Sequence, residues 1–200
     1  MKAIAFTIVC FGYLTAAVVV AGQQGRGEST ATTQSEAPQY VRGSNLVRPP
    51  DYREWVYLSS GLGMEYNPVP GTKSPSFGNV FVNPSSYRAF MKTGKWPDKT
   101  TFVLEFRASV SEGSINKSGR FQSQLVGLEA EVKDSRFPDG WAFFNFMPKA
   151  AVLDSAAPLP VDAGCVDCHT KNTAVERTFV QFYPTLLDVA RRMKTVKPGF

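Results

Sequence analysis

The chain has 200 residues, 43% apolar and 20% charged, an ordinary globular composition with length enough for one substantial core. Its net charge of +5 comes from scattered Lys and Arg, with no basic run of the kind that tracks phosphates, so nucleic acid is excluded as a partner class. Fifteen Phe is a high count, suited to an ordinary core or to a pocket around a large flat ligand.

Residues 1–22 begin Met1-Lys2, run apolar through Ile4, Phe6, Ile8, Val9, Leu14 and Val18–Val20, and end in Ala21-Gly22. A positive start, an apolar centre and small residues at the end read as a secretory signal peptide, with Val19 and Ala21 suited to the positions before cleavage. The expected location is periplasmic or secreted; an uncleaved membrane anchor is the alternative, because the stretch approaches spanning length. Cys10 lies inside this segment, so a processed protein keeps Cys165 and Cys168 alone. Residues 23–50 are rich in Gly, Ser, Thr and Gln and close on Pro49-Pro50, which reads as a flexible linker.

The globular domain is expected over 51–200. Asp51 can cap a helix over Tyr52 to Ser59, with Trp55 and Leu58 inward at helical spacing. Residues 67–76 hold three prolines and read as a loop. Gly78–Val82 is a short apolar strand, and Asn83-Pro84-Ser85 starts a helix running from Ser86 to Thr93 and closed by Gly94. Thr100–Val110 alternates apolar with polar and reads as a long half-buried strand; Phe121–Val132 and Gly140–Met147 read as two more. The order β-α-β-β-β, without a repeated β-α-β crossover, predicts an α+β fold: a mainly antiparallel sheet with a few flanking helices. Leu186–Met193 is the last expected helix.

Cys165-Val166-Asp167-Cys168-His169 reads C-x-x-C-H, the attachment signature of a c-type haem. Both thiols add to the haem vinyl groups, and the adjacent imidazole is placed to bind the iron. His169 is the only histidine, so a second histidine ligand within the chain is impossible. Met64, Met91, Met147, Met193, a lysine, water or nothing remain for the other axial position. The motif lies late in the chain, with only Met193 after it, which favours an open site able to bind nitric oxide, hydroxylamine or peroxide. A redox disulfide would leave His169 unexplained, and a zinc site lacks a fourth Cys or His.

From Tyr52 onward the chain resembles the cytochrome P460 family and the related beta-type cytochromes c-prime. The matching pieces are Tyr52-Arg-Glu-Trp55, Gly78-Asn-Val-Phe-Val82 with its helix, Gly94-Lys-Trp-Pro97, Glu131-Val-Lys-Asp134, Gly140-Trp-Ala-Phe143, and the haem motif leading into Phe179-Val-Gln-Phe-Tyr-Pro184. The resemblance implies a mainly antiparallel β fold, a homodimer, and one covalent haem c ligated by His169. In cytochrome P460 a lysine is also bonded to the porphyrin and the haem oxidises hydroxylamine; the beta-type cytochromes c-prime lack that bond and bind nitric oxide beside distal phenylalanines. The family lysine is expected near residues 80–92, where Lys92 is the candidate and a solvated helix lysine the alternative. Glu131 is the candidate proton carrier, with Glu129 on the same strand face and Glu105 on another strand. Phe81, Phe102, Phe143 and Phe144 are candidates to line the pocket. Three functions follow: a haem oxidoreductase acting on hydroxylamine or a related species, a nitric oxide-binding protein, or an electron carrier with an unknown redox partner.

Overall fold

The computed structural model describes residues 36–64 and 74–200. The expected leader over 1–22, the first part of the linker and most of the loop over 67–76 lie outside these residues. Among the described residues, no helix is long and apolar enough to cross a membrane.

Two short strands, β1 (Tyr40–Val41) and β2 (Asn45–Val47), open the described chain. They fall in the stretch expected to be a flexible linker, and three contacts explain the difference. Leu46 is fully buried, β2 pairs with β8 (Ser155–Ala156), and the Tyr40 hydroxyl donates to the Asp134 carboxylate at 2.9 Å. Each partner lies about a hundred residues away, so local composition gives no sign of it.

The helix expected over Tyr52–Ser59 is also corrected. A single 3-10 turn spans Tyr52–Glu54, and β3 follows over Val56–Leu62. Trp55 and Leu58, expected on one helical face, pack against two different hydrophobic clusters. Pairing of β3 with β4 (Ser76–Val82) supplies backbone hydrogen bonds that outweigh a short, weakly periodic helix signal.

The rest follows the alternation read in the sequence. β4, β5 (Thr100–Val110), β6 (Phe121–Lys133) and β7 (Trp141–Asn145) join β3 in one antiparallel meander, ordered as in the chain. The register sets two faces. Val82, Phe102, Glu131 and Phe143 stand in one row across β4–β7, while Phe81, Val103, Ala130 and Phe144 stand in the adjacent row on the opposite face.

One face is covered by helices: α1 (Pro84–Thr93), α2 (Gly164–Lys171) and α3 (Pro184–Arg192). Its cluster joins Val82 and Phe102 to Phe90 of α1 and to Leu186 and Val189 of α3. The other face is covered by β1, β2, β8 and the 3-10 turn, through Leu46, Tyr52 and Ala156. At the start of α1, Pro84 occupies the first turn, where its missing N–H costs nothing, and the Asn83 side chain accepts the Thr101 N–H at 2.9 Å. Gly94 ends the helix in the left-handed region at φ 68°, with its N–H on the Phe90 carbonyl. A side-chain carbon there would sit 2.8 Å from Met193, so Gly94 also sets the approach of α1 to the segment after α3.

Candidate functional site

Helix α2 has the sequence Gly-Cys-Val-Asp-Cys-His-Thr-Lys. Spacings of three and four residues put Cys165, Cys168 and His169 on one helical face. Both thiols are unpaired and half-buried, and Cys168 packs against the cluster of the helical face. Burial, then the Glu129 carboxylate, push the Cys165 thiol up. Lys171 and Asp167 pair on the outer side of the helix at 2.7 Å.

The chain after α2 turns back to hold the imidazole. Thr173 Oγ1 donates to the His169 carbonyl at 2.5 Å, and the Gln181 side chain spans the turn through the Asn172 carbonyl and the Ala174 N–H. This brings the Arg177 carbonyl to 2.8 Å from His169 Nδ1. A carbonyl only accepts, so Nδ1 carries a proton, and in the neutral ring the lone pair lies on Nε2, the tautomer a metal-ligating histidine needs. The ring is wedged edge-on between Phe143, at 4.6 Å, and Phe179, at 4.7 Å.

Two carboxylates of β6 face α2. Glu131 Oε1 lies 3.3 Å from His169 Nδ1, a close charge contact, but the atom is buried without a hydrogen bond because the Nδ1 proton points at Arg177. Burial pushes the Glu131 carboxyl up, opposed by His169 and Arg177; burial also pushes Glu129 up. Neither is the exposed strand carboxylate that the alternation suggests.

The structure thus brings together Cys165, Cys168, His169, Phe143 and Glu131. Glu131 stands on the Nδ1 side of the imidazole. The place expected for Phe81 is corrected. It points to the opposite face of the sheet, edge-on to Tyr52 and Tyr57. Phe144 faces that side as well, whereas Phe102 shares the row of Glu131 and Phe143. Lys92 is exposed at the end of α1, one position past Met91, which packs on the cluster; it is a solvated helix lysine. Glu105 belongs to a separate buried network on the far face, held by Tyr52, Arg53, Asn79 and Arg107.

Of the methionines among the described residues, Met64 and Met193 are exposed, Met147 packs on the far face, and Met91 packs on the helical face. Arg177 and Phe179 escaped sequence reading. Arg177 acts through its backbone carbonyl, which leaves no trace in residue type, and Phe179 looks like any core aromatic.

Next to the row of His169 contacts, Val80 and Leu104 pair across the sheet with Glu129, and Phe106 lies over Gly78 and Gly127. These side chains are only half-buried, and no residue of α2 is fully buried. Two thiols, an imidazole held at Nδ1 and an apolar wall beside them fit a haem in chemistry.

A short helix presenting Cys-x-x-Cys-His against the apolar side of an antiparallel sheet has the residues that a c-type haem site needs. Residues 49–180 match the family model described as cytochrome P460, and the chain belongs to that family, whose members bind haem c. No curated protein matches the chain.

Proposed function

We propose that this chain is an exported, homodimeric cytochrome in which Cys165 and Cys168 would bond one haem c and His169 would ligate its iron, and that the loaded protein binds a small nitrogen species, nitric oxide foremost. When bound, the haem supplies an iron coordination position and a one-electron redox couple. The observation that carries the reading is the His169 hydrogen bond to the Arg177 carbonyl, which fixes the ring and leaves Nε2 free to ligate. Phe143 and Phe179 stop the ring from turning, and the apolar row of Val80, Leu104 and Phe106 keeps water from the wall beside the thiols.

Capture is favoured over hydroxylamine oxidation by the lysines. Among the described residues, the five strands of the meander carry one lysine, Lys133, and its ammonium is held by the Trp96 carbonyl at 2.7 Å and Glu176 at 2.6 Å. With Lys92 exposed, neither supplies the porphyrin bond that marks the oxidising members. The ferrous absorption spectrum of the purified haem protein tests this. The expected result is an ordinary high-spin c-type spectrum that changes on addition of nitric oxide. A Soret band shifted far to the red would overturn capture in favour of hydroxylamine oxidation, and methionine-type low-spin features would make the protein an electron carrier.

A further inference from the structure

Two acceptors converge on a single imidazole proton. Arg177 O lies 2.8 Å from His169 Nδ1 and takes the hydrogen bond, while Glu131 Oε1 waits at 3.3 Å with no hydrogen-bond partner. Glu131 stands opposite Phe102 and Phe143, and its side chain keeps 11% of its exposure. A carboxylate in such a row contributes no packing that a Leu or Met would not, and removing it from water is unfavourable. Arg177 balances the charge, and its own Nη1 is buried without a hydrogen bond while Nη2 lies 3.6 Å from Asp139.

We infer that Glu131 is a positioning residue for His169: its carboxylate puts negative charge behind Nδ1 and makes Nε2 a stronger donor to the iron than the Arg177 carbonyl alone would. The inference rests on the haem reading above and deepens it. A stronger donor stabilises the ferric over the ferrous state, so the charge lowers the reduction potential. It also strengthens the bond between iron and imidazole. A carboxylate with only a structural role would do neither.

The test compares the haem-loaded wild-type protein with E131Q, which keeps shape and removes charge. At the wild-type midpoint, E131Q is expected to raise the ferrous-to-ferric ratio about tenfold, equivalent to ~59 mV for one electron. The iron–histidine stretching frequency of the ferrous protein, read by resonance Raman, is expected to fall. E131D, which keeps the charge but withdraws it by one methylene, is expected to shift both readouts in the same sense by less. If E131Q fails to load haem, E131D alone decides. Unchanged potential and unchanged stretch in a loaded variant would overturn the inference. A wild-type protein without haem, seen directly in a pyridine haemochrome assay, would instead overturn the reading on which it rests.

Discussion

Asp134 offers a sharp test of how the described chain is held together. Its side chain is fully buried and accepts from Lys99 Nζ at 2.5 Å, the Tyr40 hydroxyl at 2.9 Å and the Arg136 backbone N–H at 2.9 Å, with Arg136 Nε at 3.2 Å. Asp134→Asn keeps the volume but loses the charge and at least one acceptor. Breaking a fully buried pair costs roughly 3–5 kcal/mol. Lys99 and Arg136, however, are each 42% exposed and recover much of their hydration, so about 2 kcal/mol is expected. The pH dependence has a definite sign. Burial alone would raise this carboxyl, but Lys99, the Arg136 N–H and Tyr40 outweigh it and hold Asp134 below the ordinary value. A depressed group stabilises the fold above its unfolded pKa of about 3.9, and that stability fades as pH falls through the folded value. Urea denaturation of both proteins at pH 7 and near pH 3 measures the difference. The gap should be about 2 kcal/mol at neutral pH and much smaller in acid. A gap of equal size at both pH values, or none at pH 7, would refute the reasoning.

Three further outcomes are expected. Leu46→Ala empties a fully buried position under the sheet and should cost about 2–4 kcal/mol by chemical denaturation, whereas a substitution in a flexible linker would cost nothing. Lys92→Ala and Phe81→Leu, one exposed and the other on the far face, should leave the haem absorption spectrum unchanged. Cys165→Ala removes one of two thioether positions, and intact-mass spectrometry under denaturing conditions should show haem retention falling while Cys168 still permits a single bond.

How much of this was legible beforehand depends on where each residue finds its partner. Strands β5 and β6 were readable because alternation is written in the strand itself, β7 because it is a short apolar run, and α1 because Pro84 and Gly94 punctuate it locally. Tyr40 and Leu46 were unreadable because Asp134 and β8, which make them structural, lie far along the chain. Trp55 and Leu58 misled for a related reason: a spacing of three suits one helix face as well as it suits the two faces of an extended chain, and only the pairing with β4 decides. At the site, Cys165, Cys168 and His169 announce themselves by spacing. Phe81 and Phe143 do not, since one residue of register reverses the face of a strand, and aromatic character is the same on both.

The meander also has a consequence for how the protein is assembled. Each strand of β3–β7 pairs with the next along the chain, so the wall opposite α2 forms from pairings between sequence neighbours, which lowers its contact order. The thiols arrive only afterwards, on a helix that starts at Gly164, some way past the end of β7 at Asn145. A chain emerging in order therefore presents all five strands of the apolar wall before Cys165 and Cys168 follow.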